Sequence, residues 1–184
     1  MKTRYSLSQI GLHWATLLMI ILTYTAMLTR DYFPEDNQPL VRLLHFNFGI
    51  CVWLLMFVRV YLRTRHKTPV ITPPLPRWQI AASHGVHGVL YLLFLSLPVL
   101  GVLTLAFGGR DWVLFGWPVP QFGTPDPSVR RTVRSAHEFL ANCGYYLIGL
   151  HALAAIYHHY LRKDDTLLRM LPGKALIAPA LGGA

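Results

Sequence analysis

Charged residues in this chain stand in islands, separated by long stretches that carry none. No Asp, Glu, Lys or Arg lies between Arg4 and Arg30, Arg42 and Arg59, Arg77 and Arg110, or Glu138 and Arg162, gaps of 25, 16, 32 and 23 residues. A helix that crosses a bilayer needs about 20 consecutive apolar residues, so the pattern predicts four spans. Charged residues make up 14% of the chain and hydrophobic ones 53%, whereas a soluble domain carries about 25% charged residues. That leaves too little polar surface to coat a globule in water, and membrane lipid becomes the expected solvent. Two cysteines exclude a secreted disulfide scaffold, and the hydrophobicity excludes a disordered chain. The net charge of +9 does not indicate a nucleic-acid binder, because the basic residues cluster at segment ends instead of forming one solvent-facing stripe.

The predicted spans cover about residues 8–29, 40–62, 78–107 and 132–161, an all-α, integral membrane four-helix bundle. The second gap is short, and its helix reaches full length only if Arg42 and Arg59 snorkel to the two interfaces. The first stretch is too long for a signal-peptide core and has no small-residue cleavage site after it, so it is expected to stay in the mature protein. Four spans put both termini on one side, which collects eleven basic residues (Lys2, Arg4, Arg59, Arg63, Arg65, Lys67, Arg77, Arg162, Lys163, Arg169 and Lys174) against six on the other. The positive-inside rule places both termini in the cytoplasm. On the outer face the longer connection, Gly108 to Arg131, holds Trp112, Phe115, Trp117 and Phe122 among Gly and Pro, which suits a segment at headgroup level. No connection is long enough to be a catalytic domain, so the chemistry is expected inside the bundle or at its mouths. Residues 1–174 are expected to form a single transmembrane unit, and 175–184, small and apolar with Gly and Pro, a tail or cloning scar outside it.

Seven of the nine histidines (His13, His45, His84, His87, His137, His151 and His158) fall within or at the edge of these spans. Ionisable groups at such depth are costly and mark function by default. At 1.5 Å of rise per residue, His13 and His151 lie roughly 14 to 17 Å in from the charges on the terminus-bearing side, and His45 and His137 about 4 to 5 Å in from the opposite ends of their helices. His137 and His151 are fourteen residues apart, a rise of about 21 Å and nearly four whole turns, so they share a face. Two levels of paired histidines match two haems stacked across the membrane, each iron held by imidazoles from two helices. Gly49 and Gly144, on the same faces, leave room for a flat macrocycle. Without a Cys-x-x-Cys-His the haems are expected to be b-type. Depth leaves one ambiguity: His84 and His87 lie roughly 10 to 15 Å inward, so His87 competes with His13 and His151 for one iron.

The chain resembles the bacterial dihaem cytochrome b561 family, relatives of the cytochrome b subunits of membrane-bound hydrogenases and formate dehydrogenases, over about residues 1 to 174. The features that carry the likeness are His13 and Trp14 early in the first span, His45 opening the second, and His137 and His151 fourteen apart in the fourth. The resemblance implies that a cytoplasmic-side haem b is held by His13 and His151 and a periplasmic-side haem b by His45 and His137. It also implies a place in the bacterial inner membrane and, by likeness to enterobacterial members, electron flow from superoxide to ubiquinone.

The remaining polar residues take expected roles around that frame. Arg130, Arg131 and Arg134, just before His137, are candidates to attract superoxide or pair with haem propionates, and Arg59 to pair with a propionate on the cytoplasmic side. His87, or His84 one turn away, is the candidate at the quinone head, with His87 and His158 as proton relays. The axial imidazoles need their other nitrogen bonded, and carbonyls a turn back are the expected acceptors. Cys51 and Cys143, each six residues beyond a histidine of the outer level, are read as small buried residues. Two rival functions are a haem-bearing anchor relaying electrons between a partner dehydrogenase and the quinone pool, and a histidine-lined metal transporter. The short loops argue against a required partner protein, and the near absence of carboxylates within the spans argues against the transporter.

Overall fold

A computed structural model describes residues 4–172; Lys2, Lys174 and the expected tail at 175–184 lie outside the described residues. Four helices dominate: α1 (Leu7–Thr29), α2 (Gln38–Arg65), α3 (Arg77–Ala106) and α4 (Pro127–Tyr160). All four are long and apolar enough to cross a membrane. Their outer surfaces carry large apolar side chains, including Leu18, Leu54, Phe57, Leu92 and Leu153, each more than half or nearly half exposed. That is the expected inversion for a bundle whose solvent is hydrocarbon.

The helix starts follow local chemistry. Ser6 caps α1 in a reciprocal box with Gln9: Gln9 N donates to Ser6 Oγ and Ser6 N donates to the Gln9 side chain, each at 3.3 Å. Asp126 caps α4 by accepting from Ser128 N at 2.8 Å and Val129 N at 3.1 Å, with Pro127 in the first helical position. This cap starts α4 five residues before the expected position 132. His137 consequently sits ten residues, about 15 Å, inside its helix, deeper from the helix start than the 4 to 5 Å expected.

The bundle is all-α except for one small hairpin between α3 and α4. Strands β1 (Trp112–Leu114) and β2 (Trp117–Val119) pair antiparallel, joined by Phe115 and Gly116 with φ of 49° and 91°. Two consecutive positive φ values are what a tight two-residue hairpin loop requires. Asn47 of α2 ties the hairpin down, accepting from Phe115 N at 2.6 Å and donating to Val113 O at 3.4 Å. The connection expected as an irregular headgroup-level segment is therefore a hairpin clamped across one end of the bundle. At the other end the first and last described segments meet: Tyr5 N donates to Arg169 O, Arg4 to Leu171 O, and Trp14 Nε1 to Met170 O.

Backbones approach closely between α1 and α2, α2 and α3, and α3 and α4. Between α1 and α4 the distance is bridged by side chains, with Tyr24 Oη donating to Ala141 O at 2.9 Å and its ring meeting Tyr145 edge-on at 4.6 Å. The buried core, Ile20, Val52, Met56, Leu93, Phe94 and Leu97 with Tyr24 against it, lies at mid-height. Gly144 serves this packing: a Cβ there would collide with the Tyr24 hydroxyl and crowd Leu93. Its missing side chain makes room for a tyrosine, not for the macrocycle expected from sequence. At Gly49 a Cβ would meet nothing within 4 Å, so open space does flank that position.

Overpacking at Gly144 costs about 1–3 kcal/mol on this geometry. Gly144→Val is expected to lower the thermal midpoint of the detergent-solubilised protein, and Tyr24→Ala in the same chain to recover part of the loss. Equal midpoints for Gly144→Val and the unaltered protein would contradict this contact.

Candidate functional site

Two pairs of imidazoles cross the bundle interior. At the terminal end, where residues 4–14 meet 169–171, the His13 and His151 rings have centroids 6.2 Å apart; at the hairpin end, His45 and His137 are also 6.2 Å apart. One metal bonded to a nitrogen of each ring at about 2 Å places two imidazole centres about 6 Å apart, so both pairs have the spacing of ligands on opposite sides of one metal. Among the described residues no group of three or more His, Cys, Asp or Glu converges on a metal-sized point. At the hairpin end the two rings stand as a pair, the number of protein ligands that a six-coordinate haem would take; at the other end a third imidazole, His87, stands beside the pair.

At the hairpin end each ring is aimed by a neighbouring helix. His45 Nδ1 donates to Thr23 O of α1 at 2.9 Å, and His137 Nδ1 donates to Leu97 O of α3 at 2.9 Å. Leu97 directly precedes Pro98, the one proline inside α3. Donation through Nδ1 leaves the Nε2 lone pair of each ring free to bind a metal. The acceptors are carbonyls across the helix interface, not those a turn back. A cavity of about 1010 Å³ surrounds this pair, lined by Gly49, Gly101, Tyr24, Phe94 and Asn142, among others. Arg30, Arg42, Arg110, Arg130 and Arg134 also line it. Arg130 and Arg134 share the His137 face of α4 at intervals of three and four residues; Arg131 is off that face, exposed and not in the lining. Arg134 also pairs with Glu138 at 2.7 Å.

The terminal end is arranged differently. Arg59 Nη2 donates to His13 Nδ1 at 3.2 Å, and its guanidinium lies 5.8 Å from the Tyr91 ring centre. His87 comes closer still to His151, edge to face at 5.2 Å, and its Nδ1 donates to Ser83 O one turn back at 2.6 Å. His84 is exposed on the outside of α3. The structure therefore brings His13, His151, His87 and Arg59 together and leaves His84 apart. His158 sits below them, bonded through Nδ1 to Asp164 Oδ2 at 2.6 Å. Asp164 was not singled out from sequence, and neither were Arg30, Arg42 and Arg110 as members of the outer arginine set.

Comparison with known proteins decides the family. Residues 4–173 match the model of the prokaryotic cytochrome b561 family. The chain belongs to that family. It is 46% identical to cytochrome b561 homolog 1 of Escherichia coli K12, over 92% of this chain and 97% of that one. It is 40% identical to a probable superoxide oxidase CybB of Yersinia pestis, over 95% and 99%, and 30% identical to a cytochrome b562 of Cereibacter sphaeroides, over 91% and 94%. As a cytochrome b561 this is a multi-pass protein of the inner membrane that uses b-type haem for oxidoreductase-type electron transfer across the bilayer.

Asp164 lies beyond the last helix and is buried. Burial alone would push its carboxyl up, but hydrogen bonds from Thr166 and His158 outweigh that and hold it below its ordinary 3.8. A depressed carboxylate contributes stability above its unfolded value and loses it as the pH falls through the folded one. Segment 162–172 is therefore expected to keep its amide protection from neutral pH down to about pH 4 and to lose it below. Asp164→Asn is expected to weaken protection at neutral pH and remove that acid step, read by hydrogen exchange. An acid step that survives the substitution would assign it to another group.

Proposed function

We propose that this cytochrome b561 oxidises superoxide to dioxygen at the hairpin end and reduces ubiquinone at the terminal end. It does so as one transmembrane unit carrying two haem b groups, one between His45 and His137 and one between His13 and His151. The observation that carries the reading is the repeated 6.2 Å ring spacing at two levels set fourteen residues, about 21 Å, apart on α4. The two haems, when bound, supply one-electron carriage through an apolar layer that ions cannot cross.

The chain's own residues supply the rest. Five arginines around the outer cavity raise the local concentration of a small anion and pair with haem carboxylates. The Yersinia relative's description as a probable superoxide oxidase supports superoxide as that anion. Two superoxide anions give up one electron each and leave as dioxygen, and with two protons one ubiquinone becomes ubiquinol. The excess of basic residues on the terminal side supports a cytoplasmic position for both chain ends, so protons arrive from the cytoplasm. His87, beside His151 and with its Nδ1 committed to Ser83 O, presents Nε2 to a quinone oxygen. Ligation of His13 through Nε2 requires Arg59 to leave Nδ1, and a haem propionate is the acceptor that competes for it.

Haem content tests the pairing. His45→Ala and His137→Ala are each expected to lose one and the same haem, and His13→Ala and His151→Ala the other, with His87→Leu keeping both. Depletion of the same haem by His13→Ala and His45→Ala would refute it. Steering is tested separately by Arg130→Gln with Arg134→Gln: haem reduction by superoxide is expected to slow several-fold at low salt, on the order of ten-fold at most, and to lose part of its salt dependence. Because Arg131 lies outside the cavity lining, Arg131→Gln is expected to change the rate much less.

A further inference from the structure

The end of α4 carries a buried acid that electron transfer alone does not require. His158 stands seven residues beyond His151, on the same face and about 10 Å nearer the terminal side. The chain then reverses through Lys163, which adopts φ of 55°, and returns Asp164 beneath the helix end. Asp164 is 3% exposed, in a segment whose neighbours Leu161 and Lys163 are exposed. Its two oxygens are used differently. Oδ1 accepts from Thr166 N at 3.0 Å, which closes a turn. Oδ2 accepts from His158 Nδ1 at 2.6 Å, with Arg162 Nε 3.7 Å away.

A turn cap explains the first bond and not the second. An imidazole locked by a buried carboxylate has a fixed tautomer and orientation, with the proton on Nδ1 and the lone pair on Nε2. This is the arrangement by which a histidine passes protons repeatedly without rotating.

We propose that Asp164 and His158 form the inlet through which protons reach the quinone, Asp164 acting as the positioning residue and His158 as the carrier. The proposal rests on the reading that ubiquinone is reduced at this end. In each cycle the cationic His158 releases its Nε2 proton to an oxygen of the quinone as an electron arrives from superoxide, and becomes neutral with Nδ1–H retained. Water at the cytoplasmic face then returns a proton to Nε2. Two such transfers accompany two electrons and yield one ubiquinol.

The test uses the haem-loaded protein with a short-chain ubiquinone. Asp164→Asn is expected to be reduced by superoxide at the unaltered rate but to pass electrons to the quinone at least ten-fold more slowly, with unchanged quinone binding and an increased solvent deuterium isotope effect. Added small weak acids such as imidazole are expected to restore much of the rate, and Asp164→Glu to retain it. Nitrogen-15 histidine spectra are expected to show His158 as the Nδ1–H tautomer in the unaltered protein and a mixture in Asp164→Asn. An unchanged quinone rate overturns the proposal. So does a slow rate that weak acids do not restore, or one accompanied by weakened quinone binding, since either makes Asp164 a purely structural anchor. If the unaltered protein neither binds nor reduces the quinone, the functional reading fails instead.

Discussion

Side chains that donate to the backbone of a neighbouring helix hold this bundle together. In lipid, apolar surface gains nothing by leaving its solvent, so helix association depends on packing and interhelical hydrogen bonds. Here such bonds run round all four helices: His45 to Thr23 joins α2 to α1, Trp53 to Leu95 joins α2 to α3, His137 to Leu97 joins α4 to α3, and Tyr24 to Ala141 joins α1 to α4. Two of the four are made by the Nδ1 atoms of the paired histidines. The bonds that fix helix against helix therefore also fix ring orientation, and the outer site is set as soon as the bundle is.

The core placement has a related effect. Ile20, Val52, Met56, Leu93, Phe94 and Leu97 pack between the two histidine levels and form an apolar partition at mid-height. Above it lies a wide arginine-lined cavity, below it a tight cluster of three imidazoles and Arg59. The two ends differ in charge and in room. A protein with one continuous polar channel would leak protons between them.

Much of this was legible in the sequence because bilayer thickness fixes what a charge-free run can do. The gaps in charge located four helices, and counting residues inward from their borders put His13 level with His151 and His45 level with His137. The features that escaped depend on contacts between distant parts of the chain. Asp126 and Pro127 are an ordinary cap signal, but three nearby arginines made the turn after it look like loop. The hairpin contains Pro118 and rests on Asn47, sixty-eight residues from Phe115, so no local pattern announces it. The reason for Gly144 lies in Tyr24, on another helix. The pairing of His158 with Asp164 needs a left-handed residue at Lys163, and lysine gives no sign of adopting one.

The order of the helices along the chain bears on how the protein is made. Each of the two ring pairs draws one member from α4, the last of the four long helices to leave the ribosome, and the other from α1 or α2. Until α4 has been threaded into the membrane, the earlier helices present single, unmatched imidazoles and an open groove lined by arginine. Completion of the ring pairs is thus deferred until α4 is in place, and both pairs form in one event. A chain that stalls before α4 forms neither pair, so the two imidazole sets appear together or not at all.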